Sequence, residues 1–363
     1  MAGYHPPGLG EPGTINRLSE SKEGKQKAVM IEFFKEPNID WMGKAKYFYA
    51  LSAILLLAGW FSIWHKGGMY YGIDFKGGTN VDVQFSQPPN VDKIRQALSA
   101  QGLGNSEIQS ISDIGAQSNE VLIFVGQNGT NDEAADVSKD QVIKALNSAG
   151  VGTFTIRGAE IVGAKVGGEL RSQAIWVTLL ALAGMLVYIA FRFEWVFGAA
   201  AVLAVFHDVL ITLGFFSLLH FEISLTVIAA LLTLVGYSMN DTIVIFDRIR
   251  ENRRLLRKEE FAALVNKSIN QTLSRTILTS GLTFLTVLVL FLMGGQVLRA
   301  FSFALVVGIV VGTYSSFGIA APLIVFWHRW RDKNETAGTG TAAGNKARVS
   351  ESAAGRLAPA GRR

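Results

Sequence analysis

Six long apolar stretches constrain this chain more than any other feature of its sequence. A helix of about 20 apolar residues crosses the ~30 Å hydrocarbon core of a bilayer. The stretches of suitable length are Tyr47–Trp64, Ala174–Phe191, Trp195–Leu219, Ile223–Phe246, Thr276–Leu298 and Ala300–Trp327. Buried helices of a large soluble protein are the alternative, but only 17% of the residues are charged and those charges avoid the stretches. The sequence therefore predicts an α-helical membrane protein with six transmembrane helices.

Positive charge predicts how these helices are oriented. Lysine and arginine cluster before the first stretch, after the fourth and after the sixth, at Lys35, Lys44, Lys46, Arg248, Arg250, Arg253, Arg254, Arg257, Lys258, Arg329, Arg331 and Lys333. Loops rich in these residues stay in the cytoplasm, so both termini are predicted to be cytoplasmic and the long loop 65–172 external. The net charge of +5 then reflects membrane topology and does not require nucleic acid as a partner.

The two ends of the chain have the composition of tails. Residues 1–46 form a polar N-terminal tail, and the Trp and Lys residues after the first stretch argue for an uncleaved anchor rather than a signal peptide. Residues 331–363 are rich in Ala, Gly and Thr with scattered Arg, which predicts a disordered cytoplasmic tail. The chain has no cysteine, so disulfides and thiol metal sites are excluded.

The loop 65–172 has the composition of a soluble α+β domain. Strands are predicted at Tyr70–Phe75, Asn80–Phe85, Ile108–Ile114, Glu120–Val125 and Gly152–Ile161, and helices at Val91–Gln101 and Asp136–Ala149. After the first of these strands the order is β-α-β-β-α-β, which predicts a ferredoxin-like fold with two helices on one face of an antiparallel sheet. Such a domain is expected to be a contact surface for another chain.

A glycine pair stands out within this domain. Gly77 and Gly78 predict a turn between the first two strands. Asp74 lies just before them and is either a ligand or a residue that forms the turn and caps a strand. The second role is the expected one, because neither a His/Cys cluster nor a Gly-rich phosphate loop with a lysine in register accompanies it.

Two acidic residues lie inside the predicted spans. An ionisable side chain at mid-bilayer costs at least ~2.5–3.5 kcal/mol on insertion scales, so each one needs a reason. Asp241 lies in a polar break of the fourth span, where helical spacing places Tyr237, Asn240 and Asp241 on one side, facing inward. Asp208 follows His207 near the middle of the third span. A proton relay is the functional interpretation, and an interhelical hydrogen bond or ion pair is the structural alternative.

Arg275 is the candidate partner of Asp241. Asp241 precedes the end of its span at Phe246 by roughly 7–8 Å along a helix, and Arg275 opens the fifth span from the same side. The two side chains are therefore expected at a similar depth. The alternative is that Arg275 is an interfacial base whose charge reaches the headgroups.

The segment 247–275, between the fourth and fifth spans, contains an amphipathic pattern. Phe261, Leu264, Val265 and Ile269 recur at helical spacing among many basic residues. This pattern fits a helix that lies on the cytoplasmic membrane surface. A helix that docks a partner is the alternative, and the sequence does not decide between them.

Two long motifs, together with a third segment, resemble the SecF family of protein-export membrane proteins. The segments are Gly72-Ile73-Asp74-Phe75-Lys76-Gly77-Gly78-Thr79, the span from Val235-Gly236-Tyr237-Ser238-Met239-Asn240-Asp241-Thr242 to Glu251, and Ser268-Ile269-Asn270-Gln271-Thr272-Leu273-Ser274-Arg275-Thr276. The resemblance covers about residues 45–330 and is specific because the motifs occur in the right order.

This resemblance implies a function and a set of partners. SecF pairs with SecD, as two pseudo-symmetric halves of a transporter related to the RND superfamily, so the six helices would be half of an RND-like bundle. The pair works in the bacterial inner membrane with the SecYEG channel, SecA and often YajC. It uses the proton-motive force to promote export of polypeptides. In the family, the residues matching Asp241 and Arg275 belong to the proton pathway, and further essential acids lie in SecD.

Two other functions remain open at this point. Half of an RND-type exporter of small molecules or lipids would favour a larger external domain and usually twelve spans. A purely structural subunit that stabilises SecD or the channel is the second alternative. No nucleophile–base or metal constellation appears, so neither enzymatic activity nor a cofactor or metal is expected. The translocating polypeptide and membrane lipid are the further expected partners.

Overall fold

A computed structural model describes residues 37–113, 116–126, 133–192 and 194–333. The described part of the chain begins with α1 (Trp41–His65). A small domain follows, with α2 (Ile73–Lys76), β1 (Gly78–Phe85), α3 (Val91–Ala100), β2 (Glu107–Asp113), β3 (Ala116–Gly126), α4 (Glu133–Ser148) and β4 (Phe154–Val162). The remaining helices are α5 (Ala164–Arg192), α6 (Trp195–Leu219), α7 (Leu225–Leu255), α8 (Phe261–Met293) and α9 (Gly295–Ser315).

The six long helices are each long and apolar enough to cross a membrane, which confirms the predicted multi-pass membrane fold. The third has the predicted bounds, Trp195–Leu219. Several others begin earlier than their apolar stretches: α1 begins inside the predicted tail 1–46, where the Asp40 side chain accepts a hydrogen bond from the Gly43 N–H, and α5 begins at Ala164. Apolar runs mark the hydrocarbon depth, whereas helices continue beyond it. Residues 1–36 and 334–363, including most of the predicted disordered tail, lie outside the described residues.

The segment 247–275 is not a helix on the membrane surface, so that interpretation was wrong. Helix α7 continues to Leu255 and α8 starts at Phe261. Leu264, Val265 and Ile269 are at most 2% exposed and pack into the core of the bundle. The apolar face of this amphipathic pattern is therefore used within the chain.

Polar residues on the same part of α8 hold the start of α1. The Asn266 side-chain oxygen accepts hydrogen bonds from the backbone N–H groups of Trp41 and Met42, each at 2.9 Å. The Asn270 side-chain oxygen accepts one from the Trp41 indole at 2.9 Å. These contacts satisfy N–H groups that are left without partners at a helix start.

The α+β domain contains a four-stranded antiparallel sheet in the order β2-β3-β1-β4. This arrangement follows from the predicted β-α-β-β-α-β order. Alternate residues of β1 and β3, such as Val81, Val83, Val121 and Ile123, are fully buried with residues of α3 and α4 in one cluster. The two helices thus cover one face of the sheet.

The predicted strand at Tyr70–Phe75 was wrong. Tyr71 forms only an isolated parallel bridge to Ile223, and Ile73–Lys76 is a short helical turn. The Gly72 N–H donates to the Ile223 carbonyl at 2.9 Å, and the Ile223 N–H donates to the Tyr70 carbonyl at 2.7 Å. The backbone groups that a hairpin would have used are therefore satisfied at the start of α7.

The glycine pair after α2 is required by the backbone. Gly77 and Gly78 have φ of 71° and 140°, values that favour glycine. A Cβ on Gly78 would also lie 2.6 Å from the Val125 carbonyl oxygen on β3. The glycine pair lets the chain leave α2 and enter β1 in close contact with the neighbouring strand β3.

Helix α7 is the centre of the bundle and packs against α6, α8 and α9. Its contact with α9 is close, because a Cβ on Gly308 would lie 2.5 Å from Leu234 and one on Gly312 would lie 2.9 Å from the Ser238 Cβ. Small residues at such positions let two membrane helices approach and interdigitate. Helix α5 is more peripheral, with Trp176 and Leu180 69% and 75% exposed.

The sheet face opposite the helices carries a pair of neighbouring acids. Asp82 on β1 adjoins Glu120 on β3, and Arg157 on β4 forms an ion pair with Glu120 at 3.4 Å. Burial, together with the neighbouring Glu120, raises the pKa of Asp82 from 3.8 to about 6, against the opposing effect of Arg157. The folded domain therefore binds a proton at Asp82 more tightly than the unfolded chain does.

This raised pKa predicts a pH dependence of domain stability. The contribution of Asp82 is fully present below its unfolded pKa of 3.8 and is lost as the pH rises through about 6. We expect Asp82→Asn to raise the thermal midpoint at pH 8 relative to the parent protein. We also expect the midpoint of Asp82→Asn to decrease less than that of the parent protein as the pH rises from 4 to about 6. Thermal unfolding of the full chain at a series of pH values measures this. The exposed Asp92→Asn on α3 is the matched control, and parallel profiles for Asp82→Asn and the parent protein would contradict the prediction.

Candidate functional site

Asp241 is buried at the contact between α7 and α8. Asp241 is 2% exposed, and its Oδ2 accepts a hydrogen bond from the Ser280 hydroxyl at 2.7 Å. No ion pair compensates its charge in the part of the chain that the structure describes. A hydroxyl both donates and accepts, so this pair accommodates a neutral carboxylic acid as well as a carboxylate.

Arg275 and Asp241 are not brought into contact. Arg275 is exposed on α8, and no ion pair joins the two residues, although its charge acts on Asp241 at longer range. Ser280, which bonds Asp241, lies five residues beyond Arg275, or about 7.5 Å along the helix. The two residues therefore differ in depth by more than one helical turn in this arrangement.

The expectation that Tyr237, Asn240 and Asp241 all face inward was wrong for Asn240. Asn240 is exposed, because consecutive residues of a helix point about 100° apart. Tyr237 is half-buried, and its hydroxyl is a buried atom without a hydrogen-bond partner among the described residues. Within this polar break, Asp241 therefore points into the bundle, whereas Asn240 points out of it.

Asp208 is the centre of a second buried polar site, formed by α6, α7 and α9. It is 0% exposed, and its Oδ2 accepts hydrogen bonds from Ser238 at 2.5 Å and Ser315 at 2.8 Å. The other oxygen is 2.9 Å from Nδ1 of His207. His207 Nε2 is buried without a partner in the described part of the chain. Three helices thus meet at one carboxyl group.

A π-helical segment, Ser316–Ala320, directly follows α9 and adjoins this site. Its first residue, Ser316, lies 3.0 Å from the hydroxyl of Thr242 on α7. Insertions of this kind are frequent at functional sites because they turn neighbouring side chains to new directions. Here the consecutive residues Ser315 and Ser316 reach two different groups, Asp208 and Thr242.

The sequence analysis missed the hydroxyl residues that complete both sites. Ser238, Ser280, Ser315 and Ser316 are at most 4% exposed within long apolar helices. The signal was present, since a serine inside an apolar span bonds either its own helix or a neighbour. The sequence does not reveal whether such a serine bonds its own helix or the neighbouring helix.

Asp74 joins the α+β domain to the start of α7. Its Oδ2 accepts a hydrogen bond from the Leu225 N–H at 2.8 Å. Leu225 is the first residue of α7, where a negative charge also complements the helix dipole. Asp241 lies on the same helix, about 24 Å further along. Asp74 is thus a capping residue rather than a ligand in this structure, and Gly77 and Gly78 set the turn beside it.

Each of the two buried sites contains a single carboxyl group. Asp241 and Asp208 point into different contacts of the bundle, and each is bonded by neutral hydroxyl donors. No group of three or more His, Asp or Glu side chains suited to a metal occurs within the described ranges. The titratable groups inside the bundle are therefore suited to carry protons or to hold helices together.

Comparison with known proteins shows clear similarity. Residues 141–330 match the family described as protein export membrane protein SecD/SecF, C-terminal, and residues 61–89 match the SecD/SecF GG motif. Protein translocase subunit SecF of Koribacter versatilis is 44% identical over 85% of this chain and 96% of that protein. The SecF subunit of Calditerrivibrio nitroreducens is 45% identical over 82% and 97%.

Similarity extends to a longer protein of known structure. Protein translocase subunit SecDF of Thermus thermophilus is 40% identical over 89% of this chain, which spans 42% of that protein. A crystal structure of SecDF from the same organism, described as a translocon-associated membrane protein, matches with a TM-score of 0.73 and 39% identity. That match covers 87% of this chain and 41% of the SecDF chain.

The Asp208 site predicts a stability difference between two buried serines of α9. Ser315→Ala removes a donor to a buried carboxyl group, so we expect a loss of about 1–3 kcal/mol and a lower thermal midpoint in detergent. Ser302→Ala is the matched control, because the equally buried Ser302 hydroxyl bonds only backbone carbonyls of its own helix. Equal midpoints for the two variants would show that the Asp208 bond does not stabilise the bundle.

Proposed function

We propose, since this chain belongs to the SecF family of protein translocase subunits, that it couples proton movement through Asp241 to polypeptide export. The chain is an auxiliary component of the Sec translocase and a transport protein rather than a member of a known enzyme family. The observation that carries the proposal is the buried Asp241 carboxyl group, whose direct partner is a serine hydroxyl and which has no cationic partner among the described residues.

The energy that one charge gains by crossing the membrane potential is comparable to the energy needed to hold an acid inside the membrane. Moving one charge across 100 mV is worth about 2.3 kcal/mol. An acid at the helix centre costs ~2.5–3.5 kcal/mol on insertion scales. Protonation of Asp241 therefore changes the free energy of the bundle by enough to bias two arrangements of its helices. His207 and Asp208, with Tyr237 nearby on α7, are proposed to support this step.

A SecD chain is proposed to complete the site. Asn240, Thr233 and Gly236 are exposed on one side of α7, and Arg275 is exposed on α8. Polar groups facing hydrocarbon are costly, so this face fits a protein partner better than lipid. The similarity to a fused SecDF protein supports association with SecD, which would supply the rest of the proton pathway.

Helix α7 is proposed to transmit the effect to the α+β domain. The Asp74 side chain and the Tyr71–Ile223 bridge hold the domain to the first residues of α7. Asp241 lies on the same helix, so a shift of α7 on protonation would reach this joint without a flexible linker. The domain would then act on the exported polypeptide on its side of the membrane.

The remaining assignments follow from family and charge. The basic residues after α7 and α9 support a cytoplasmic location for both termini, in the bacterial inner membrane. The SecYEG channel and SecA, with YajC as a further candidate, are the proposed partners in export. We propose that the chain itself has no catalytic activity and needs no cofactor.

The test is Asp241→Asn in cells, with export and complex abundance measured together. We expect normal amounts of the SecD-containing complex and loss of the part of export that depends on the proton-motive force. Asp247→Asn, an exposed acid on the same helix in a weak surface ion pair at 3.8 Å, is the matched control and should export normally.

The same measurement separates the alternatives. Export that falls only in proportion to complex abundance would assign Asp241 a structural role. Normal export and proton flux in Asp241→Asn would exclude the relay altogether. Arg275→Lys, which keeps the charge but not the guanidinium geometry, tests the partner residue in the same way.

A further inference from the structure

An apolar groove separates α5 from the rest of the bundle. Its volume is about 370 Å³, and hydrocarbon side chains from α5, α6 and α7 form nearly all of its walls. Thr178 and Leu182 lie on one side, and Leu213, Leu231 and Val235 lie on the other. Several of these side chains are only half-buried, so the groove opens toward the surrounding membrane.

The groove has the length of one membrane leaflet. It begins beside Arg171 and Tyr71, at the end of α5 next to the α+β domain, and extends to Leu182. The eleven helical steps from Arg171 to Leu182 span ~16 Å, about half of the ~30 Å hydrocarbon core. The groove therefore runs from the interface on the domain side to the middle of the bilayer.

The lining and the opening of the groove indicate what kind of occupant fits. Its walls are almost entirely apolar, and it is open along the side that faces the membrane. An extended hydrocarbon chain of a lipid suits such a groove.

A positive charge stands at the mouth of the groove. The Arg171 guanidinium lies 5.0 Å from the centre of the Tyr71 ring, which holds it in place by a cation–π contact. Arg171 is exposed and forms no ion pair with another described residue. The planar guanidinium matches the oxygens of a phosphate group, and tyrosine is typical of the membrane interface.

From these observations we propose that the groove is a phospholipid site. One acyl chain from the leaflet on the domain side fills the groove, and the lipid phosphate binds Arg171. The lipid also touches Tyr71, Phe75 and Ile223 at the groove end, the residues next to the joint between the α+β domain and α7.

Native mass spectrometry of the full chain in detergent tests this site, with phosphatidylglycerol as the added lipid. We expect one tightly retained lipid per chain and binding weakened about tenfold in Arg171→Ala, because a charge-assisted contact is lost. Thr178→Trp, which fills the groove, should lose the retained lipid while leaving Arg171 in place. Lys165→Ala is the matched control, since this base on the same end of α5 does not line the groove.

Two further arms make the outcome decisive. Diacylglycerol with the same acyl chains lacks the phosphate, so it should bind weakly and equally to the parent protein and to Arg171→Ala. The measurement is then repeated on the complex with SecD, where the lipid should be retained. Unchanged binding in both Arg171→Ala and Thr178→Trp, an equal loss in Lys165→Ala, or displacement of the lipid by SecD would each overturn the proposal.

Discussion

Carboxyl groups inside a membrane bundle need partners, and in this chain serine hydroxyls from neighbouring helices supply them. Asp208 accepts bonds from Ser238 and Ser315, and Asp241 accepts one from Ser280. Hydroxyls of this kind reach their partners only because the helices approach closely, as the packing of Gly312 against Ser238 illustrates. Both acids therefore depend on close helix packing around α7, and the serine hydroxyls that bond them are neutral groups that tolerate either protonation state of the acid.

Helix α7 connects the buried Asp241 to the α+β domain. Its first N–H is capped by Asp74 from the α+β domain, and its middle carries Asp241. A rigid helix transmits a small displacement along its length better than a loop would. The short turn at Ile73–Lys76 and the two glycines with positive φ after it fix the domain to this helix, which gives the SecD/SecF GG motif a physical role in this chain.

The sequence alone predicted the parts of the structure that depend on composition and periodicity. Six apolar runs gave six spans, and the order of strands and helices in 65–172 gave the antiparallel sheet. The strand at Tyr70–Phe75 failed because its backbone bonds go to Ile223, a contact about 150 residues away that no local pattern encodes. The predictions for Asn240 and the segment 247–275 were wrong for a related reason. A polar or amphipathic pattern shows that two faces of a helix differ, but it does not show which face packs against the bundle.

The central claim is that the protonation state of Asp241 reaches the joint with the α+β domain through α7. Hydrogen–deuterium exchange on the complex with SecD, comparing the parent protein with Asp241→Asn, tests it most directly. The N–H groups of Gly72, Ile223 and Leu225 report the joint, and those of β1 and β3 report the domain core. We predict that Asp241→Asn changes exchange at the joint and leaves the domain core unchanged. Identical exchange at the joint in both proteins would contradict the account.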